Sequence, residues 1–470
     1  MRVVRQRGIQ PLLFAAAISL LATGCRTYEQ QNRAIQYWHQ GNLPGAAAEA
    51  SKMADQNAND KDAIVWRLEQ GAVLRGNGQY EASNKAFDQA QDRIDQYSQE
   101  ARVKISNEAG ALLSNQANLP YEGRAYDGIM LNTYKALNYL QLGEPDKARP
   151  ELIRAYQRQQ DAVADNQRRI EKVQEEAAQS KDKATMYKAE RDPQFKAQMR
   201  GAYTDLNNLK AYANYVNPFT VYLDGLYFMA DAVDASDLER ARKSFERVVG
   251  FDPGNDYVKQ DLATVDNLMN GKPLTPTTYV IFETGCAPAR DQIRIDIPII
   301  LANVSYVGAA FPTLRPQGNY LHSLTVMADG TNATTSLVAS MDSVIGLDFK
   351  NEMPIVITKT LAATVTKAVA AYAANHAANQ KNDLAGLLMQ IGTSAYQAAV
   401  NIADERTWTT LPKQFQVCRI PTPPDRKIEL ETPRGGQKIP VTIEDGTINI
   451  VYVKSIAATS PLLVTQIKLK

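Results

Sequence analysis

Histidine and cysteine are the side chains of this sequence with the most direct chemistry, and the 470 residues contain only three of each. His39, His322 and His376 lie far apart, so no two have the i, i+4 spacing that presents a pair of metal ligands on one helix face. The cysteines are equally scattered, which excludes a zinc ribbon or a locally encoded iron–sulfur cluster. The sequence also lacks G-x-S-x-G, H-E-x-x-H and a phosphate-binding glycine loop. We therefore predict no enzyme, no metal and no cofactor, although a discontinuous active site stays open.

Two cysteines, Cys286 and Cys418, lie beside predicted strands in the second half of the chain. In an oxidising compartment a disulfide between them would close a long loop and add roughly 4 kcal/mol in the chain-entropy model. The alternative is a pair of buried free thiols. The sequence leaves both possibilities open.

The third cysteine, Cys25, follows a segment typical of a signal peptide. Three arginines within the first seven residues precede an apolar stretch from Pro11 to Ala22, which is too short to span about 30 Å of hydrocarbon. The segment Leu20-Leu21-Ala22-Thr23-Gly24-Cys25 resembles the bacterial lipoprotein cleavage box. We predict that residues 1–24 are removed and that Cys25 carries the lipid. The alternative is an ordinary secretory signal with a free Cys25.

The residue after the cysteine bears on location. It is Arg26 rather than aspartate, which by resemblance to the lipoprotein sorting rule implies anchoring at the periplasmic face of the outer membrane. Several acyl chains give stable anchoring without a spanning helix, since each buried CH₂ contributes roughly 0.8 kcal/mol.

The overall charge excludes one class of partner. Lys and Arg total 52 against 51 acidic residues, so no basic field exists to bind nucleic acid by neutralising phosphates. With 44% hydrophobic residues the chain is long enough for two or three packed domains.

Four segments between Tyr28 and Leu268 repeat a short theme. Each has a turn, then a small residue, then larger apolar residues one helical turn apart, as two closely crossing antiparallel helices require. The turns are Gly41-Asn42-Leu43, Gly78-Gln79-Tyr80, Gly143-Glu144-Pro145 and Ser236-Asp237-Leu238, and the small crossing residues are Ala46, Ser83, Ala148 and Ala241. The theme resembles the second half of the tetratricopeptide repeat, although the intervals exceed its period of about 34 residues. We predict an all-α tetratricopeptide-like helical-hairpin array over 25–270, with an unrelated helical bundle as the alternative.

A charged stretch interrupts this array at about 157–200. Val163, Ile170, Ala177 and Ala184 recur every seven positions, which predicts a long helix that turns near Asp192-Pro193. It is either a solvated helical arm or a coiled-coil contact with another subunit or partner.

The composition changes near Asn270 to β-branched residues, proline and glycine, which predicts a separate α+β domain over 275–470. The predicted strands are 279–283, 293–301, 321–327, 415–420 and a closing C-terminal meander of 427–430, 439–443 and 448–453. Two Ala-rich helices, at about 355–380 and 383–403, lie between the strands. The second has no charge from Leu384 to Ala403, so a buried helix pair, an oligomerisation surface and a membrane-inserting hairpin are all considered.

Four segments together carry a resemblance to a known family. They are the Cys25 box, Ala136-Leu137-Asn138-Tyr139-Leu140, Met341-Asp342-Ser343-Val344 and Arg406-Thr407-Trp408-Thr409-Thr410-Leu411-Pro412. In these the chain resembles proteobacterial outer-membrane lipoproteins with tetratricopeptide-like repeats. The resemblance implies association with cell-envelope lipoproteins, including activators of penicillin-binding proteins, and it carries over no catalytic residues.

These observations favour a lipid-anchored periplasmic scaffold whose helical array binds a partner protein of the periplasm or outer membrane. The candidate partner surface consists of Trp38, Tyr80, Tyr139, Tyr222 and Trp408. Two alternatives remain, a homo-oligomeric subunit of a ring or export assembly and an envelope glycan-active enzyme. The second would be tested at Asp342 and Glu405.

Overall fold

The computed structural model describes residues 33–103, 116–210, 212–301, 304–379 and 402–470. It confirms the predicted fold class, because helical hairpins form the first part and a mixed α+β part follows. The predicted signal peptide (1–24), Cys25 and nearly all of the predicted helix 383–403 lie outside the described residues.

Helices of the first part pair through short turns. Three of these turns contain a glycine at positive φ, namely Gly41, Gly78 and Gly143, each just after the end of a helix, where glycine meets no Cβ penalty. The helices are α1 (Arg33–His39), α2 (Leu43–Gln56), α3 (Ala63–Gly76), α4 (Tyr80–Val103), α5 (Ala125–Gln141), α6 (Pro145–Ala178), α7 (Lys183–Arg191), α8 (Pro193–Ala202), α9 (Pro218–Ala230), α10 (Ala235–Phe251) and α11 (Asp256–Met269).

Close helix crossings explain the small residues of the repeated theme. All four predicted crossing residues are fully buried: Ala46, Ser83, Ala148 and Ala241. On the facing helix of the second hairpin, a Cβ at Gly71 would lie 2.3 Å from Cε1 of Phe87. The equivalent approach of Gly225 to Phe245 in the last hairpin is 3.0 Å.

Among its described residues, the second part contains three β-sheets and one long helix, α12 (Met341–Asn379). The central sheet has the strand order β11-β10-β1-β7-β6, the outer sheet has the order β5-β4-β8-β9, and β2 and β3 form a two-stranded hairpin. The strands are β1 (Thr277–Thr284), β2 (Ala289–Leu301), β3 (Val304–Arg315), β4 (Thr325–Ala328), β5 (Thr331–Thr334), β6 (Ser336–Ser340), β7 (Gln414–Pro421), β8 (Lys427–Glu431), β9 (Lys438–Thr442), β10 (Ile448–Ser455) and β11 (Leu463–Lys468).

The closing strands do not form the predicted meander. β8 and β9 pair as an antiparallel hairpin of the outer sheet, whereas β10 joins the central sheet parallel to β1. The turn at Asp445-Gly446 therefore moves the chain from one sheet to the other. The apolar run of β10 gives the physical reason, because a strand buried on both faces needs a central place.

The central sheet lies between the helices and the outer sheet. Its β1 strand is buried at every position. Alternate residues such as Tyr279 and Ile281 pack against the helical hairpins, while Val280 and Phe282 pack against the outer sheet. The molecule therefore has three layers, helices on one face of the central sheet and a second sheet on the other.

The two predicted domains share one hydrophobic core. The largest buried cluster contains helix residues such as Tyr126, Tyr134 and Tyr222 together with Phe415 and Tyr452 of the central sheet. Phe219 of α9 stacks on Phe415 of β7 with ring centroids 3.8 Å apart. The boundary near Asn270 thus marks a change of secondary structure while the packing continues across it.

A second cluster forms what we call the arm, defined as the distal part of α6, α7, α8, the β2–β3 hairpin and α12 from Phe349 onward. Val173 of α6, Met186 of α7 and Phe195 of α8 are buried in it beside Ile295 and Ile297 of the hairpin. Both long helices run from the main core into the arm, since the first turns of α6 and α12 belong to the main cluster.

The predicted long helix of 157–200 breaks at Gln179 as well as turning at Asp192-Pro193. Its apolar line is covered only in part, because Val163 is 50% exposed and Ala184 is exposed, whereas Ala177 is buried. Ala177 and Val173 pack in the arm cluster with the β2–β3 hairpin and α12.

The helix α12 is the single described helix that is long and apolar enough to cross a membrane, over Met341–Ala370, and half of that stretch is buried within the protein. It begins well before the predicted start at Ile355, so the quoted Met341-Asp342-Ser343-Val344 segment forms its first turn.

Substitutions of glycine test the close crossing. We expect Gly71→Ala to destabilise the protein by about 1–3 kcal/mol, because the new methyl group would displace the fully buried Phe87 ring. Gly250→Ala on α10 meets nothing within 4 Å and should be neutral or stabilising by up to about 1 kcal/mol. Denaturant unfolding of both variants measures the difference. Equal effects would show that the helices do not approach closely at Gly71.

Candidate functional site: a buried junction and the adjoining arm

The segment Arg406–Leu411, which we call the plug, is inserted into the helical layer. Trp408 is fully buried between Phe87 of α4 and Tyr134 of α5, with ring centroids 5.7 and 5.8 Å away. Its indole N–H donates to the Thr410 hydroxyl at 2.9 Å. The motif that sequence reasoning considered as a ligand-binding surface thus binds the chain's own helices.

A single carboxylate holds the middle of the plug. Glu69 of α3 accepts hydrogen bonds from the backbone N–H and hydroxyl of Thr409 and from the same two groups of Thr410, at 2.6–3.2 Å. The carboxylate is fully buried, and burial raises its pKa to about 7 although the hydrogen bonds oppose that change. Thr407 adds a bond to the hydroxyl of Tyr126 at 3.0 Å.

Arg406 fixes the start of the plug to the helical array. Its guanidinium pairs with Asp404 at 2.7 Å and with Asp62, just before α3, at 2.8 Å. It also donates to the carbonyl oxygens of Leu119 and Gln116. One buried cation therefore organises three chain segments that are distant in sequence.

A second ion-pair group lies beside it and reaches the arm. Glu352 of α12 pairs with Arg124, at the start of α5, and with Arg290 of β2, and the latter pair is 2.7 Å apart. These two guanidiniums hold the pKa of the Glu352 carboxyl far below its usual range despite burial. Arg124 also lies 3.8 Å from Asp404. We call the set Asp62, Arg124, Arg290, Glu352, Asp404 and Arg406 the junction.

The junction has as many cations as paired carboxylates, and the pKa values of two acidic groups at its border are set mainly by burial, which Arg124 and Arg290 oppose only in part. Burial raises the pKa of Asp127 to about 6, although the Tyr121 hydroxyl donates to this carboxyl. Burial raises the pKa of Asp348 to about 7, and Glu352 one turn away opposes its charge further. The junction thus acts electrostatically, by fixing the base of the arm to the helical array and the plug.

The structure overturns most of the predicted partner surface. Trp38, Tyr222 and Trp408 are at most 1% exposed, because they fill the spaces between helices or between helices and sheet. Tyr80, at the start of α4, and Tyr139, near the end of α5, are partly exposed. The helix faces expected to bind a partner are covered by the central sheet.

The two cysteines are free and buried in different clusters. Cys286 follows β1 and lies 3.8 Å from Nδ1 of His39. Cys418 lies within β7, where the Tyr257 hydroxyl is its neighbour at 3.7 Å, and burial raises the pKa of its thiol to about 11. The sequence left open a disulfide or two buried free thiols, and the structure has the free thiols.

The remaining candidates do not converge. His322 packs edge-on to Tyr320, and the side chain of His376 lies outside the described residues. Asp342 forms an ion pair with Lys413, whereas Glu405 is a half-buried carboxyl next to the junction whose pKa is raised to about 7 by burial. Within the described part of the chain no group of three His, Cys, Asp or Glu side chains is placed to hold a metal ion.

Sequence reasoning missed the junction because its members are separated by up to 344 residues along the chain. The available signal was the density of charged and hydroxyl residues around Trp408. Charged residues are mostly exposed, so this density alone predicts neither their burial nor their partners.

No protein-family model, curated protein or solved structure matches this chain.

Removal of one charge tests the junction. We expect Glu352→Gln to cost about 3–5 kcal/mol of unfolding free energy, because it leaves Arg124 and Arg290 buried without a common anion. The matched variant Glu239→Gln, in a surface pair of α10, should cost little, because solvent screens exposed ion pairs. Denaturant unfolding distinguishes these values, and similar small losses in both would show that the junction carries no stability.

The pH dependence of stability tests Asp348. Its pKa is higher in the folded protein than its ordinary value of 3.8, so its contribution to stability is complete below about pH 4 and is lost as the pH rises to about 7. We expect Asp348→Asn to be more stable than the parent by roughly 2–4 kcal/mol at pH 8 and by no more than about 1 kcal/mol at pH 4.5. Asp445→Asn, at a 99% exposed carboxylate, is the control and should change neither value. A constant difference at both pH values would contradict the assignment.

Proposed function

We propose that this protein is a lipid-anchored adaptor at the periplasmic face of the outer membrane, and that it presents the arm to a partner protein of the cell envelope. The resemblance of residues 20–25 to the lipoprotein cleavage box supports the anchor on Cys25. The observation that carries the proposal is that the central sheet covers the inner face of the helical array. Because that face is buried, we place the partner-binding surface on the arm instead.

The arm has the features of a presented surface. Its elements are held at the base by the junction and internally by a separate hydrophobic cluster. It also exposes two of the larger side chains of the molecule, with Tyr187 44% and Tyr306 49% exposed. A rigid unit with aromatic groups on its surface is the usual form of a protein-binding site.

The second candidate function is that of a subunit in a ring or export assembly, and the arm also favours this candidate. The β2–β3 hairpin pairs with no other described strand, so its edges lie outside both larger sheets. In a homo-oligomer the arm would contact a second copy of the chain, so the identity of the captured protein separates the two candidates.

Site-specific photocrosslinking in the source bacterium tests the adaptor. A photoreactive amino acid replaces Tyr187 or Tyr306 in the arm, and replaces Val233 or Met269 in the helical layer as exposed controls. We expect the arm positions to capture a discrete envelope protein, identified by mass spectrometry, and the control positions to capture none. Capture at the control positions alone would contradict the proposal, and capture of the same chain would favour the oligomeric subunit.

The anchor has a separate test. Cys25→Ala should abolish palmitate labelling and release the protein from the membrane fraction, whereas Cys286→Ala should leave both unchanged. Unaltered labelling in Cys25→Ala would contradict lipidation at this residue.

A further inference from the structure

A groove on the arm is lined by one face of α7. Ala184, Tyr187, Lys188 and Arg191 have the spacing i, i+3, i+4, i+7, so their side chains share that face. The groove has a volume of about 500 Å³, within the range of about 300–1,000 Å³ typical of ligand sites. Pro193 completes its wall.

The groove continues toward the β2–β3 hairpin. A second depression of about 210 Å³ shares Ala184 and Lys188 with the first and ends at Pro298 of β2. The two depressions also share Asp192 and so form one continuous site, which has room for several residues of a peptide chain.

The elements around the groove are fixed before any ligand binds. Met186 and Ala189, on the opposite face of α7, are at most 5% exposed within the arm cluster. Asp192 at the corner accepts hydrogen bonds from the backbone N–H groups of Gln194 and Phe195, so its charge is engaged at the start of α8. Because little ordering is needed on binding, such a site loses little affinity to entropy.

The basic groups of the groove lack partners among the described residues. In the described part of the chain neither Lys188 nor Arg191 makes an ion pair or a hydrogen bond. Residues 181–200 contain six basic and three acidic side chains, a net charge of +3, against +1 for the whole chain. The unpaired cations therefore favour an anionic ligand.

Apart from Thr185 and Asp192, the other lining groups are aromatic or apolar. Within the described residues the Tyr187 hydroxyl makes no hydrogen bond, and the Tyr306 hydroxyl donates to Oε1 of Gln194 at 3.0 Å. Pro193 lines the first depression and Pro298 lines the second. A fitting ligand thus combines carboxylates with apolar side chains. The apolar lining is limited to one alanine, one tyrosine and two prolines, an area that a few side chains of a peptide would cover, which favours a peptide over a lipid surface.

We propose that this groove binds an acidic, extended peptide segment of the partner protein, with carboxylates paired to Lys188 and Arg191 and an apolar side chain against Tyr187. This inference rests on the proposed adaptor function, for which it names the chemistry of the partner.

Fluorescence anisotropy with the detergent-solubilised mature protein tests the groove. The probe is a labelled nonapeptide of alternating Glu and Leu or Phe residues, and its control is the same peptide with Lys in place of Glu. We expect salt-sensitive binding of the acidic probe alone, weakened at least tenfold in the double variant Lys188→Glu/Arg191→Glu and in Tyr187→Ala. The matched double variant Lys52→Glu/Lys243→Glu, at exposed lysines of α2 and α10, should bind as the parent does.

Three results would overturn the groove proposal. They are binding of both peptides alike, equal weakening in the two charge-reversed double variants, and preference of the same residues for vesicles of anionic lipid over the acidic peptide.

Photocrosslinking at Tyr306 in the Lys188→Glu/Arg191→Glu background separates this proposal from the adaptor function. Loss of capture supports the groove. Retained capture would overturn the groove and leave the adaptor intact, whereas absence of capture in the parent protein would contradict the adaptor itself.

Discussion

The packing of the central sheet and the plug against the helical hairpins is the contact on which the rest of the structure depends. The Phe219–Phe415 stack and the insertion of Trp408 between Phe87 and Tyr134 are its clearest parts. Each buries large aromatic area that neither half of the chain would cover alone. The helical array is therefore not an independent solenoid with an open binding face, because its inner surface is part of one core.

Polar groups make this packing specific. Glu69 accepts four hydrogen bonds from the plug. In the junction, Arg124, Arg290 and Arg406 form ion pairs with the carboxylates of the same group. Such buried groups add little net stability when fully paired, but any other arrangement of the two halves would leave them unpaired at a cost of several kcal/mol. We infer that they select one docking of the sheet and one orientation of the arm. The arm in turn fixes α7, whose open face forms the groove.

The sequence predicted what is local and failed where partners are distant. Small residues at the crossing positions and the alternation in β2 depend on neighbours a few residues away, so the hairpins and most strands were recognised. The burial of Trp408 depends on Phe87 and Tyr134, and the position of β10 in the central sheet depends on β1. Residue spacing along the sequence predicts neither of these contacts. The charged stretch of 157–200 misled for the same reason, since the covered part of its apolar line, around Ala177, packs against a hairpin more than 90 residues further along the chain.

Native-state hydrogen exchange of the full chain tests the single shared core most directly. If the central sheet and the helical layer are one cooperative unit, the slowest amides of α5 and α9 and those of β1 and β10 will exchange with the same opening free energy and the same denaturant dependence. Exchange of α5 and α9 through a separate opening of lower free energy, with β10 still protected, would contradict the account.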